Sequence, residues 1–212
     1  MNEGKVWDER YRTMAAGWPS HPDPDLEQLA GAMVPGRAID LGCGTGRNAL
    51  WLAAQGWEVT GVDGSEVGLA HARRAAAELG LDVDWVLADL SSFDYPAAAA
   101  DLVVLANIHT DPAELPVVYG AAAASVAPGG RFFVVGHHVD VLGRGMGGPP
   151  DPDRLFTVER LQAAVPGVAW ERLERVERTG ASGAAAPVAT APAAGTAVTD
   201  IVVVGWGQPA TS

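Results

Sequence analysis

Short apolar runs alternate with longer amphipathic stretches along most of the chain. Apolar runs of about four to eight residues are typical of buried strands, whereas apolar positions three or four apart are typical of helices. The pattern predicts strands over residues 38–40, 57–63, 82–88, 101–108, 131–137, 170–176 and 199–206. It predicts helices over residues 47–55, 65–79, 111–126 and 157–165. Because strands and helices alternate before a closing strand pair, we expect an α/β fold with a doubly wound, mostly parallel sheet and a C-terminal antiparallel hairpin strand.

Two of the predicted helices have recognisable starts. Ser65 is an N-cap residue before the second helix, and Gly80 is a typical stop after it. Asp111 stands directly before Pro112, which is typical of an acidic N-cap followed by proline at the first helical position. Pro116 offers the same helix a later start. The third helix therefore has two candidate N-termini.

We predict that the chain is one domain, residues 1–212, whose parts differ in composition. A length of 212 residues with 48% hydrophobic content is enough for one core of ordinary size. Residues 1–35 precede the first strand as an N-terminal cap segment, and residues 36–206 form the predicted core. Residues 179–198 are mostly Ala, Gly, Pro, Ser and Thr without a period, so we expect a flexible loop there.

Charge and cysteine content limit the classes of partner. The net charge is −12 and the isoelectric point is near 4.7, which disfavours binding to nucleic acid or to anionic membranes. We therefore expect a small-molecule substrate, no nucleic acid and no membrane. A single cysteine excludes an intrachain disulfide, and no apolar run is long enough to span a bilayer, so we expect a cytoplasmic protein. The oligomeric state is left open.

A glycine-rich turn follows the first strand, with glycines at positions 42, 44 and 46. Lacking Cβ atoms, they allow positive φ angles and close approach to a ligand, and we expect their amides to be open at the helix N-terminus. The sixth position from Gly42 is Arg47, whereas a dinucleotide fingerprint needs glycine there, which argues against an NAD-dependent oxidoreductase. Asp63 ends the second strand 21 residues after Gly42. An acid at that distance can accept hydrogen bonds from both ribose hydroxyls; the alternative is a simple turn residue.

Residues 40–46, Asp-Leu-Gly-Cys-Gly-Thr-Gly, resemble the first motif of class I S-adenosylmethionine-dependent methyltransferases, which also share the Pro-Gly-Gly turn at 128–130. The resemblance covers residues 36–206 and implies a Rossmann-like fold with S-adenosylmethionine as cofactor. It implies that Asp40 serves the α-amino group, that Asp89 contacts the adenine amino group and that Leu90 packs on the adenine ring. The cofactor-binding residues that we predict are Asp40, Gly42, Cys43, Gly44, Asp63, Gly64, Ser65, Asp89, Leu90, Ala106 and Asn107.

The N-terminal segment has two interpretations. In the family that the chain resembles, such segments often fold over the cofactor, which gives Trp7, Tyr11 and Trp18 a role as lid or pocket wall. In the other interpretation, Trp7 and Tyr11, four residues apart on a helix, only anchor that helix to the domain. The two interpretations are compatible.

A hydroxyl or ammonium acceptor needs a base to remove its proton, and His109 is the first candidate. It follows the fourth strand at the edge where open α/β sheets bind ligands. The alternative for His109 is a hydrogen bond to the backbone. Tyr11, Asp111 and the pair at 137–138 are further candidates, of which Tyr11 is kept as a second catalytic residue. We expect no metal site. The two histidines at 137–138 could not bind one ion together, because neighbouring residues on a strand face opposite sides.

The acceptor is open. Residues 106–111 lack the Asn/Asp-Pro-Pro-Tyr/Phe element with which related enzymes hold a planar amino group, which disfavours nucleobase methylation. The Trp-Asp-x-Arg-Tyr opening is loosely similar to small bacterial methyltransferases of the tellurite-resistance and thiol-methylating kind. The predicted function is in-line methyl transfer to a small molecule. The alternative is a non-catalytic module that binds S-adenosylmethionine or a partner.

Overall fold

A seven-stranded sheet forms the centre of the computed structural model, which describes residues 3–13, 21–179 and 198–209. The strands are β1 Arg37–Leu41, β2 Glu58–Asp63, β3 Asp84–Leu87, β4 Ala100–Ala106, β5 Val126–His137, β6 Val168–Thr179 and β7 Val198–Pro209. The helices are α1 Glu3–Thr13, α2 Pro24–Gly31, α3 Arg47–Ala54, α4 Glu66–Leu79, α5 Leu115–Ala124 and α6 Val158–Ala164. Trp18 and nearly all of the predicted loop at 179–198 lie outside the described residues.

The strand order is β3-β2-β1-β4-β5-β7-β6. Strands β1 to β5 pair in parallel, and β7 pairs antiparallel with both β5 and β6. The predicted doubly wound sheet with a C-terminal antiparallel hairpin is therefore confirmed. The chain runs outward from β1 through β2 to β3 and then returns to β4, so the order reverses between β1 and β4. The carboxyl ends of strands at such a reversal form the ligand crevice of an open α/β sheet.

Apolar side chains cover both faces of the sheet. One cluster joins strand residues such as Val103 and Val134 to α5 and α6 through Tyr119 and Leu161. The other joins Val104, Val135 and their neighbours to α2 and α3. Burial on both faces explains why the central strands are nearly continuous in apolar residues rather than alternating.

The cap signals predict one helix correctly and one wrongly. Ser65 caps α4 by accepting a hydrogen bond from Gly68 N, and Gly80 ends it in the left-handed conformation. The start predicted at Asp111 is wrong, because α5 begins at Leu115 with Pro116 in its first turn. A helix begun at Asp111 would place Pro116 in its interior, where proline lacks the amide and clashes with the preceding turn. The connection from β3 to β4 also contains no helix among the described residues, so the regular alternation stops there.

Candidate functional site

The glycine loop between β1 and α3 is bound to the neighbouring strand. Gly42, Gly44 and Gly46 all have positive φ, at 67°, 57° and 87°. The amides of Gly42 and Cys43 donate to Val62 O at 2.7 and 3.0 Å, and Gly46 N donates to Cys43 O at 2.9 Å. The expectation that the loop amides are open is therefore wrong for these three, because β2 and the turn itself use them. Their left-handed conformations are the reason that glycine is needed.

Asp40 lies below this loop and supports helix α3. The residue is 1% exposed, and its Oδ2 accepts from Ala49 N at 3.2 Å. Gly46, the N-cap residue of α3, has no side chain to cap the helix, so Asp40 supplies that acceptor from β1. Burial raises the pKa of Asp40 to about 7, although Arg47 acts in the opposite direction. Oδ1 of Asp40 is buried without a hydrogen-bond partner, and a direct contact with the cofactor stays a prediction.

Asp63 fixes the geometry of both turns that border the crevice. Its Oδ2 accepts from Gly44 N and its Oδ1 accepts from Ser65 N, each at 2.8 Å. Each carboxylate oxygen can accept a second hydrogen bond, so Asp63 retains capacity for a ribose hydroxyl. Burial raises the pKa of Asp63, while these two backbone amides lower it. Gly64, between Asp63 and Ser65, is exposed.

The ends of β3 and β4 supply an acid and two apolar side chains. Asp89 is exposed, and its Oδ1 accepts from the amide and hydroxyl of Ser91 at 2.9 and 2.8 Å. Leu90 and Ile108 approach Gly42 so closely that a Cβ there would lie 3.8 Å from Leu90 Cδ1 and 2.0 Å from Ile108 Cδ1. The structure therefore brings the predicted Leu90 to the glycine loop and adds Ile108, which the sequence analysis did not assign.

Ala106 and Asn107 form the turn that directs Ile108 towards the loop. Ala106 ends β4 opposite Val135, and Asn107 has a positive φ of 62° while its amide donates to Val135 O at 2.8 Å. Asparagine is one of the few residues other than glycine that tolerate this conformation. A strained backbone position at the carboxyl edge of a sheet is typical of a ligand site.

Helix α1 covers the glycine loop. Tyr11 is buried, and a Cβ on Gly44 would lie 2.5 Å from its hydroxyl oxygen. Asp8 fastens the helix to the start of α4, because its Oδ1 accepts from Ser65 Oγ at 2.6 Å and from Val67 N at 3.1 Å. These bonds lower the pKa of Asp8. The lid and the anchor interpretations of the N-terminal segment thus describe one contact, since Tyr11 packs on the loop itself.

Tyr11 and Cys43 are both held in their neutral forms. Burial, and next the charge of Asp63, raise the pKa of Tyr11 above its usual range. Burial also raises the pKa of the Cys43 thiol. A phenol with a raised pKa is a poor proton acceptor at neutral pH, so Tyr11 is better placed to wall the site than to act as its base.

The geometry around His109 argues against the predicted role as a base. Nδ1 of His109 lies 2.9 Å from Arg154 O, and Nε2 lies 3.2 Å from His137 N, which donates to it. A carbonyl and an amide thus fix the neutral tautomer and occupy both ring nitrogens. Burial lowers the pKa of His109 to about 3. The structure therefore favours the alternative stated for this residue, a hydrogen-bonded buried histidine.

A second histidine has a carboxylate partner that the sequence analysis did not find. His137 ends β5, and its Nδ1 lies 3.0 Å from Asp200 Oδ1 on β7. The two residues are 63 positions apart, on either side of residues 180–197, so no spacing in the sequence joins them. The antiparallel register, which sets His137 opposite Val202, brings Asp200 to the same face two residues away.

These residues fit S-adenosylmethionine better than a dinucleotide. The sulfonium nucleoside presents hydroxyl and amino donors. Two acceptors follow adjacent parallel strands, since Asp63 ends β2 and Asp89 lies two residues after the end of β3. Leu90 and Ile108 offer an apolar surface beside them. A pyrophosphate would need open amides and cationic groups, whereas the loop amides of Gly42, Cys43, Gly44 and Gly46 are already bonded within the protein.

Known proteins are similar in sequence to the part of the chain that contains the glycine loop, Asp63 and Asp89. Residues 38–130 match the model of a family described as a methyltransferase domain. A demethylmenaquinone methyltransferase of Thermus thermophilus is 38% identical over 109 residues, which are 50% of this chain and 50% of the relative. A ubiquinone biosynthesis O-methyltransferase of Methylobacterium sp. is 34% identical over 107 residues, 50% of this chain and 41% of the relative. The chain thus spans about half the length of these curated relatives.

The fold has a counterpart in solved structures. TehB from Haemophilus influenzae superposes with a TM-score of 0.67 at 18% identity, over 98% of this chain and 67% of that one. At that identity the likeness shows a common fold. The family match includes the glycine loop, Asp63 and Asp89. Residues 38–130 thus match a methyltransferase domain, and the described part of the chain has the Rossmann-like fold of class I methyltransferases.

Proposed function

We propose that the protein transfers the methyl group of S-adenosylmethionine to a small-molecule acceptor. The observation that carries this proposal is a pair of carboxylates beside a covered glycine loop, Asp63 at the end of β2 and Asp89 two residues after the end of the adjacent parallel strand β3. When bound, the cofactor supplies an electrophilic methyl group on a sulfonium. The protein's task is then to align the acceptor with that methyl group and to exclude water.

Each part of the site has a role in this proposal. Asp63 accepts from the ribose hydroxyls, Asp89 from the adenine amino group, and Leu90 packs against the base. Asp40 supports the loop through α3, and Tyr11 closes the site from α1. Ala106 and Asn107 border the position of the methyl group at the end of β4. Gly64 and Ser65 complete the turn beside the ribose.

The acceptor that we propose is a small molecule rather than a nucleic acid. A net charge of −12 supports this, because a nucleic acid surface would be repelled. The relatives' names refer to demethylmenaquinone and to ubiquinone biosynthesis, which supports a small-molecule acceptor. None of the helices in the described ranges is long and apolar enough to cross a bilayer. A cytoplasmic location stays a prediction.

Calorimetric titration with S-adenosylmethionine, S-adenosylhomocysteine and NAD tests the first part of the proposal. We expect both sulfur nucleosides to bind and to raise the melting temperature, and NAD to do neither. Stronger binding of NAD would overturn the assignment. Formation of S-adenosylhomocysteine across a panel of small hydroxyl, amine and thiol acceptors tests the second part. Binding without turnover on any acceptor would instead support a non-catalytic module.

A further inference from the structure

The pair of His137 and Asp200 lies at the carboxyl edge of the sheet, outside the residues that the family model matches. His137 is the last residue of β5, which pairs with β4 as far as Ala106. The ring of His109, three residues after β4, stacks on that of His137 with centroids 5.5 Å apart. His137 therefore borders the end of β4, where the cofactor's methyl group is expected in the function proposed above.

The contacts of His137 leave one ring nitrogen available. Nδ1 is bonded to Asp200. Among residues 3–13, 21–179 and 198–209, no group hydrogen-bonds to Nε2, and the side chain keeps 8% of its exposure. A carboxylate on Nδ1 stabilises the tautomer whose proton is on Nδ1 and whose Nε2 carries the lone pair. This is the form in which an imidazole accepts a proton.

Two glycines of the loop after β5 lie beside the ring of His137. Gly147 and Gly148 both have positive φ, and a Cβ on Gly147 would lie 3.7 Å from Nε2 of His137. A Cβ on Gly148 would lie 3.1 Å from Cβ and Cγ of the same ring. Because both positions are glycine, the backbone passes close to the ring and no side chain from this loop segment lies against it.

Asp200 has a feature that a merely structural pair does not need. It is 1% exposed, and its Oδ2 is buried without a hydrogen-bond partner. Leaving a buried polar group unsatisfied lowers the stability of the folded protein, and such groups in native proteins call for an explanation. Oδ1 accepts from Ile201 N at 2.8 Å besides its bond to His137, so the backbone holds the carboxylate in place beside the imidazole.

The other groups near His137 are less suited to the same task. His109 has both ring nitrogens bonded to the backbone. The carbonyl oxygen of Arg154 is one of these two partners. His138, the next residue, accepts from Asp140 N at 3.1 Å through its Nδ1. Among the described side chains, Asp200 is thus the carboxylate that faces His137.

We propose that His137 is the catalytic base of this protein, that Asp200 is its positioning residue, and that the acceptor is a compound whose nucleophile must lose a proton, such as a hydroxyl compound. In the step, the acceptor oxygen forms a bond to the methyl carbon while the bond between that carbon and sulfur breaks. The electron pair of the broken bond goes to sulfur, which becomes a neutral thioether. The hydroxyl proton passes to Nε2 of His137, and the imidazolium pairs with the Asp200 carboxylate. This inference rests on the proposed function and adds the class of acceptor.

Two variants and a matched control test the proposal. His137→Gln removes the base, and Asp200→Asn removes the charge while keeping an acceptor for Nδ1. His138→Gln is the control, because that residue is adjacent in sequence and its nitrogen is bonded locally. S-adenosylhomocysteine affinity, measured by calorimetry, should stay within about twofold in all three variants, which also shows that they are folded. Failure of the parent protein to bind S-adenosylhomocysteine would reject the proposed function itself.

Turnover with phenol and with thiophenol separates a base from a structural residue. Phenols ionise near pH 10, so at about pH 7 only about one phenol molecule in a thousand is already ionised and a base is needed. An aromatic thiol ionises well below the value of about 8.5 for an ordinary thiol, so at the same pH the sulfur acceptor needs no base. We expect His137→Gln and Asp200→Asn to lower phenol methylation by about a hundredfold or more and thiophenol methylation by less than about threefold. Equal losses on both acceptors, or no loss on phenol, would overturn the proposal.

Chemical modification gives a result that needs no acceptor. Diethyl pyrocarbonate acylates accessible neutral imidazole nitrogens, and the sites can be mapped by mass spectrometry. We expect His137 to react along with the exposed His21, and His109 to stay unmodified because both its nitrogens are bonded. A His137 that stays unmodified while His21 reacts would refute an available Nε2. If neither probe acceptor is methylated, this result decides.

Discussion

Replacement of Asp40 by asparagine tests whether the fold holds this acid in its neutral form. Burial raises the pKa of Asp40 to about 7 from an ordinary value of 3.8. Between these two values the folded protein keeps a proton on Asp40 that the unfolded chain has released. The unfolded chain then binds fewer protons, so the free energy of unfolding decreases as the pH rises through this window. Above about pH 7 both states are ionised and the dependence ends.

The expected change in the free energy of unfolding follows from the pH range between the two pKa values of Asp40. One proton changes the free energy of unfolding by about 1.4 kcal/mol per pH unit. Between about pH 5.5 and pH 7, the contribution of Asp40 should therefore fall by about 2 kcal/mol. Asparagine cannot ionise, yet its Oδ1 can still accept from Ala49 N, which keeps the cap on α3. The difference in unfolding free energy between the two proteins isolates Asp40 from other titrating groups.

Urea unfolding followed by circular dichroism at several pH values measures that difference. We expect the parent protein to lose about 2 kcal/mol relative to Asp40→Asn between about pH 5.5 and pH 7, and little more at higher pH. Unchanged m values would show that the unfolding transition itself is the same. The reasoning would be refuted if the free energies of unfolding of the two proteins changed with pH in parallel. That result would mean that Arg47 keeps Asp40 ionised in spite of its burial.

Three further substitutions test the cofactor site, with S-adenosylhomocysteine affinity as the measurement. Asp63→Ala should weaken binding by at least about tenfold, since charge-assisted hydrogen bonds contribute about 1.5–3 kcal/mol each; unchanged affinity would make Asp63 a turn residue only. Asp8→Ala should weaken binding and speed hydrogen exchange in α1, because the contact with α4 is lost, whereas Glu9→Ala, which loses only an exposed pair with Arg12, should do neither. Gly44→Val should prevent binding, because its Cβ would meet Tyr11 and its φ is left-handed; normal binding would show that α1 does not cover the loop.

Local signals in the sequence predicted most of the fold. Ser65 and Gly80 are the cap and stop of α4, as expected, because capping depends on neighbouring residues alone. The start of α5 was placed wrongly because two prolines, Pro112 and Pro116, both suit a helix N-terminus, and the clash inside the helix decides between them.

The candidate site was less accessible to such reasoning. The glycine spacing and Asp63 were visible because strand, turn and helix follow each other directly in the chain. The partner of His137 was not, since Asp200 reaches it only through the antiparallel register of β7. The environment of His109 also depends on Arg154, 45 residues away, and only the fold shows that its nitrogens are bonded.

The antiparallel placement of β7 sets an order of assembly. Strand β6 is synthesised before β7, yet in the described sheet it pairs with β7 and is separated by it from β5. Until residues 198–209 emerge, β6 has no strand beside it, and the outer edge of β5 is open to pairing with other chains. The closing contacts join Phe132 to Gly207 and His137 to Val202, which are far apart in sequence and slow to meet. The same strand also carries Asp200, so the chain completes its sheet and gives His137 its partner in one event.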